Sequence, residues 1–131
     1  MTKTLLTLAL IATAVPAIAA PRHPAPRPTT VTVRMQDRKF TPQVIRLKAG
    51  RPTRLLFVNR DRTEHDFYAP AFFGTARMDP RDIGALQKNR LNVRSGEARA
   101  ITVIPRAGHY DVKSTKALDV ASGMQGQILV F

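Results

Sequence analysis

From Val31 onward the chain is written as short apolar runs, each closed by Gly, Pro, Asn or Asp, and this rhythm restricts the fold more than any other feature. Thr30 to Met35 alternates, so Val31, Val33 and Met35 share one face. Phe40 follows a polar turn as a core anchor, and Pro42 suits an edge or a bend. Val44, Ile45 and Leu47 lead into the turn Lys48-Ala49-Gly50, and Leu55 to Val58 reads as a buried strand ended by Asn59-Arg60-Asp61-Arg62. His65 and Phe67 lie on the next extended piece, Leu91 and Val93 on another, and Ala98 to Ile104 places Ile101 and Val103 inward. Strands at such spacing, separated by turn residues, predict an antiparallel sandwich.

Two segments read as helical. Ala69 to Gly74, with Phe72 and Phe73, is predicted to form a short turn capping the sandwich. Asp79-Pro80-Arg81-Asp82 is a helix start, with Asp79 as N-cap and Pro80 at the first helical position, running to about Lys88. The last part of the chain, Pro105 to Phe131, reads as a strand, a loop over Thr115 to Ser122, and a closing strand from Gln127. Gly108 supplies a permissive backbone for the turn before Tyr110, whose ring and hydroxyl suit a sheet corner.

Residues 1–19 read as a secretory leader: Lys3, then the apolar run Leu5 to Val15, then Ala17-Ile18-Ala19 as cleavage pattern. The run is too short for a membrane span, so once it is cut no transmembrane span follows, whereas an uncleaved leader would serve as an anchor. Residues 20–29 form a Pro-rich, flexible linker, and 30–131 one domain. Its expected location is the periplasm or outside the cell. A domain of this size buries roughly two-thirds of its unfolded surface and needs no staples. None is available, since the chain has no cysteine.

The formal charge of +12 invites a nucleic-acid reading. Against it, Arg and Lys are scattered singly, with no long run of like charge and no basic-aromatic motif for stacking bases. An acidic protein partner or an anionic membrane surface fits such a solvated cationic exterior better.

The closing stretch resembles the C-terminal ligand loop of the cupredoxins, small blue-copper β-sandwiches. Gly108, Tyr110, Gly123, Met124 and Gly126 fit that family's Gly-x-Tyr turn and Gly-Met-x-Gly. Phe40-Thr41-Pro42, Ile45-x-Leu47-Lys48-Ala49-Gly50, Leu55 to Asn59 and His65-Asp66-Phe67 extend the similarity back to about Val31. The resemblance implies an all-β, Greek-key sandwich with one or two short helical segments in the crossover. It places His65 at the first copper-ligating histidine and Ser114 at the copper-ligating cysteine. Lys116 and Asp119 stand where related bacterial sequences would carry histidine.

A blue-copper site needs two imidazoles and a thiolate, with a weak axial Met. Ser114 cannot supply the thiolate. His65, Asp119 and Met124 would leave one nitrogen, one carboxylate and one thioether, a set that holds copper or zinc weakly. The competing reading pairs Asp119 with Lys116, Lys113 or a nearby Arg on an exposed loop and makes Met124 a core filler. No enzymatic site is expected. Ser114, His109 and Asp111 are near in sequence, but a strand alternates its side chains across its faces, and no phosphate loop or paired-carboxylate motif occurs. The sequence thus predicts an exported, cupredoxin-like binding module without the type-1 thiolate and without a cofactor, copper being at most weakly held. The alternatives are a periplasmic copper-handling protein using His65, Asp119 and Met124, or an inherited electron carrier.

Overall fold

The alternation at Thr30 to Met35 becomes β1 (Thr29–Gln36), whose Val33 and Met35 are fully buried while Thr32 and Arg34 face water. A computed structural model describes residues 23–131; the leader 1–19 and the linker's first residues, 20–22, lie outside the described part. The other strands are β2 (Lys39–Thr41), β3 (Val44–Leu47), β4 (Thr53–Asn59), β5 (His65–Tyr68), β6 (Arg77–Met78), β7 (Arg90–Val93), β8 (Ala98–Ile104), β9 (Gly108–Lys113) and β10 (Gln125–Val130). They form two five-stranded sheets, ordered β2-β1-β4-β8-β6 and β3-β10-β9-β5-β7. The architecture is an all-β Greek-key sandwich, with helical pieces only as short accessories.

Its sheets are mixed, however, and not antiparallel throughout. β1 runs parallel to β4, with Val33 opposite Phe57, and β3 runs parallel to β10, with Ile45 opposite Ile128. Strand spacing cannot reveal this. Each partner is reached only after the chain has crossed to the other sheet, whereas adjacent runs joined by tight turns suggest antiparallel neighbours.

The core is filled from both inner faces. Phe67 of β5 sits at its centre, with ring centroids 4.7 Å from Phe57, 5.4 Å from Phe40 and 6.2 Å from Phe73. Each such ring removed from water contributes about 1.5–3 kcal/mol, which fixes the register of β5 between β9 and β7. The turn expected at Ala69–Gly74 is α1 (Pro70–Thr75), with Pro at its first turn and Phe72 and Phe73 buried beneath it.

The helix predicted from Asp79 to Lys88 does not form. Only one 3-10 turn, Ile83–Ala85, appears. The capping signal is real but is used otherwise: the Asp79 carboxylate accepts from the Arg81 amide at 2.9 Å and binds its guanidinium. The segment is then tied to β8, through Asp79 N–H to Thr102 C=O at 3.0 Å and Thr102 N–H to the Asp82 carboxylate at 2.7 Å. These bonds to a strand replace the ladder a helix would make.

The glycines of the closing stretch are explained by geometry. Gly123 has φ +69° and ends the single helical turn α2 (Ala117–Ala121), which lies within the expected loop. Gly126 allows β10 to approach the Gln43 backbone so closely that a Cβ would stand 2.5 Å from the Gln43 carbonyl oxygen. The Tyr110 hydroxyl donates to the Arg106 carbonyl at 2.8 Å and closes the corner before β9.

Candidate functional site

Four pieces of chain meet at one end of the sandwich: the β1–β2 turn, the β4–β5 loop with the start of β5, the end of β9, and α2. His65 opens β5 with its side chain fully buried. Ser114 directly follows β9 and Asp119 sits on α2; both are almost completely buried. Ser114 N–H donates to the Met124 carbonyl at 3.0 Å and Met124 N–H to the Asp119 carbonyl at 2.9 Å, so the backbone holds these three together. His65, Ser114, Asp119 and Met124 are therefore neighbours, although the sequence separates the first from the others by about fifty residues.

Their side chains bond to one another. His65 Nδ1 lies 2.7 Å from Asp119 Oδ2, and that same oxygen lies 2.7 Å from Ser114 Oγ. Ser114 Oγ is also 2.7 Å from Asp66 Oδ1. On the other side of the ring, His65 Nε2 meets Asp61 Oδ2 at 2.8 Å. Asp66 is fully buried and accepts in addition from the Thr115 amide at 2.6 Å and from the Thr115 hydroxyl. A continuous chain results: Asp61, His65, Asp119, Ser114, Asp66, Thr115.

Asp119 does not pair with a lysine on an exposed loop. Lys116 turns instead to Glu64, and the nearest cation, Arg38 Nε, stands 3.9 Å from Asp119 Oδ1. One turn of helix carries Asp119 inward, which a loop reading cannot anticipate. Met124 is a buried member of the apolar core. Sequence reasoning passed over Asp61, Asp66 and Asn59. The Asn59 amide donates to the carbonyls of Thr63 at 2.8 Å and Val93 at 3.0 Å, and its oxygen accepts from Asp61 N–H at 2.9 Å. It sets the loop that aims Asp61 at the ring. The available signal was the polar cluster Asn59 to Asp66, read there only as a turn and a strand start.

Asp61 is held by a second device. Asp37 and Arg38 both have positive φ, 53° and 52°, forming a two-residue hairpin turn. Their successive amides donate to the two Asp61 carboxylate oxygens at 2.9 and 3.1 Å. Partial burial pushes the Asp61 carboxyl up, but the Arg38 and Asp37 amides and the His65 ring outweigh it and leave the group below its ordinary value.

The proton count of this chain is informative. Ionised carboxylates only accept, so both His65 contacts are satisfied when both ring nitrogens carry hydrogen. The four contacts from Asp61 to Asp66 then share two ring protons and one hydroxyl proton. A further proton is needed, or one contact stays unfilled.

The fit to a metal can be tested on the same distances. Two donors on one tetrahedral ion, each about 2.0–2.2 Å from it, lie about 3.3–3.6 Å apart. His65 Nδ1, Asp119 Oδ2 and Ser114 Oγ are joined by contacts of 2.7 Å. Asp61 occupies the opposite nitrogen, so the two carboxylates on the ring do not converge on one point. Among the described residues no group of three or more His, Cys, Asp or Glu is arranged to hold a metal ion. The residues do not fit copper as they are placed, and a cation would first have to displace protons from the ring and hydroxyl. Apart from this end, a groove of about 750 Å³ runs over the outer face of the second sheet between Tyr68, His109, Asp111 and Gln125.

Residues 6–130 match the model of the cupredoxin-like domain family. Among solved structures, auracyanin B is 21% identical, covering 79% of this chain and 88% of its own with a TM-score of 0.56. Auracyanin A, a blue copper protein from Chloroflexus aurantiacus, is 16% identical, covering 80% of this chain and all of its own, 100%, with a TM-score of 0.58. Reduced auracyanin from Roseiflexus castenholzii is 16% identical over 79% and 97%, with a TM-score of 0.57. At such identities the likeness concerns the fold. No curated protein matches the chain in sequence.

Proposed function

We propose, from the premise that this chain belongs to the cupredoxin-like domain family, that it is an exported binding module that works without copper and carries no electrons. The chain lacks cysteine, hence the type-1 thiolate. One observation supports the finer reading: Asp119 Oδ2 holds both His65 Nδ1 and Ser114 Oγ at 2.7 Å, deep in the protein, so the nitrogen and carboxylate of the candidate metal set are turned to each other. A hydrogen-bonded closure of this kind does for the loops what a metal ion would otherwise do. It fixes four segments relative to one another without any exchangeable ligand.

The reading extends to a non-enzymatic role. Asp61 and Asp119 hold His65 on both sides, leaving neither nitrogen free to take a proton from a substrate. Ser114 is buried and directed at two carboxylates, and no nucleophile-base geometry results. Residues 1–19 support export to the periplasm or beyond. Among the described residues no helix is long and apolar enough to cross a membrane.

The deciding experiment is a Cu(II) titration and metal analysis of the chain recovered from an exporting host. No stoichiometric uptake is expected, and the melting temperature should be the same with and without chelator. Tight one-to-one binding that disappears in His65→Ala would overturn the proposal in favour of a copper-handling protein built on His65, Asp119 and Met124.

A further inference from the structure

At the end of the sandwich opposite His65, β1 enters, β3 turns into β4, β8 turns into β9 and β10 finishes. Backbone bonds fasten these pieces together: Thr29 N–H to Pro52 C=O at 3.1 Å, Ala49 N–H to Phe131 C=O at 2.9 Å, and Gly50 N–H to Pro105 C=O at 2.9 Å. Arg27, Lys48, Arg51 and Arg106 stand exposed on them, and segments 27–29, 48–52 and 105–107 contain no Asp or Glu. None of these four cations pairs with a carboxylate among the described residues. At the His65 end, by contrast, the loop cations are interleaved with Asp37, Asp61, Glu64 and Glu97, and Arg38 faces Asp119 while Lys116 pairs with Glu64. Among the cations lies Phe131, 68% exposed.

We propose that this end is a docking surface for the anionic headgroup layer of a lipid membrane. The four cations would lie over the lipid charges while the Phe131 ring enters the interface. Arg27, Lys48, Arg51, Arg106 and Phe131 line neither the groove over the second sheet nor the hollow between Glu64 and Arg99. Unpaired charge spread over separate loops around one exposed ring suits a planar charged layer, whereas the anchors of a protein partner favour pockets. The order of the chain agrees. The apolar run Leu5 to Val15 and the Pro-rich stretch precede Thr29, which enters the sandwich at this end. A leader left uncleaved would thus hold the same face toward the bilayer. The proposal rests on reading the domain as a docking module and supplies its partner, but it uses no residue of the His65 site.

The test compares the chain from an exporting host, wild type and Lys48→Ala/Arg51→Ala/Arg106→Ala, on phosphatidylcholine vesicles with and without phosphatidylglycerol. The preference for anionic vesicles should fall about fivefold for each cation removed, hence roughly 100-fold for the triple variant, and should decline with salt. Phe131→Ser should weaken binding in high salt as well. All three replaced side chains are exposed, so the thermal melt checks that the fold is intact. Equal binding to both vesicle types at low salt, or a triple variant that behaves as wild type, would overturn the proposal. So would capture by polyglutamate without vesicle binding, which would assign the surface to an acidic protein. Copper uptake with normal vesicle binding would refute only the metal-free reading, and a copper-free chain indifferent to anionic lipid only this one.

Discussion

Asp119→Ala is the substitution that most directly probes the hydrogen-bonded closure. Asp119 Oδ2 holds both His65 Nδ1 and Ser114 Oγ at 2.7 Å, and its side chain is 3% exposed. Truncation leaves a fully buried imidazole with one nitrogen unpartnered and Asp61 still attached to the other. A buried polar group left without its partner costs about 1–3 kcal/mol, and breaking a buried charged pair about 3–5 kcal/mol. The expected loss is therefore about 3–5 kcal/mol, out of about 5–15 for a whole domain. At about 4–8 °C per kcal/mol the melting temperature should drop by roughly 12–40 °C. Asp119→Asn keeps one acceptor of the same shape and should lose less, about 1.5–3 kcal/mol. Urea unfolding followed by circular dichroism supplies the free energies. A cycle with Ser114→Ala should give a coupling of about 0.5–3 kcal/mol. If Asp119→Ala changes stability by less than about 0.5 kcal/mol, as ordinary surface substitutions do, the closure does not hold the loops and the reasoning fails.

Gly126→Ala should cost about 1–3 kcal/mol by overpacking, since its Cβ would meet the Gln43 carbonyl oxygen at 2.5 Å, whereas Gly74→Ala, with open space around it, should be neutral or slightly stabilising by the same urea assay. Asp61 is held below its ordinary value of 3.8, so its contribution to stability is complete above that value and is lost as pH falls through the lower folded value. Asp61→Asn should accordingly be less stable than wild type at neutral pH and lose less on acidification; parallel urea midpoints over the acid range would refute the assignment. Ser114→Cys with Asp119→His restores a thiolate and a second imidazole beside His65, and an intensely coloured Cu(II) protein is expected. A colourless, folded product in a copper titration would show that these positions are not the family's ligand register.

Much of the frame was legible because it is local. The alternation around Val33 and Met35, the Phe72-Phe73 cap and the positive-φ Gly123 after α2 each express a constraint within a few residues. What could not be read depends on distance along the chain. His65 meets Asp119 across 54 positions and Ser114 meets Asp66 across 48, while the Asp61 clamp draws its amides from a turn 23 and 24 residues away. Asp79 illustrates the reverse error: its local capping signal was sound, but bonds between its segment and β8 decided the structure.

The buried polar side chains at this end of the sandwich are arranged around one another. Ser114 Oγ stands 2.7 Å from a carboxylate oxygen of Asp66 and from one of Asp119. Without Ser114 the buried Asp119 Oδ2 would keep the His65 ring as its side-chain partner. Asp119 and Asp61 occupy the two nitrogens of His65 from opposite sides. Among the described residues, the buried side-chain atoms without a hydrogen bond are Arg90 Nε and Asn92 Oδ1, and Arg90 Nε stands 3.6 Å from Asp66 Oδ2 at the edge of this group. Each buried polar atom left without a partner here would cost about 1–3 kcal/mol, so the contacts among Asp61, His65, Asp119, Ser114 and Asp66 hold the loops of this end in order through the chain's own side chains.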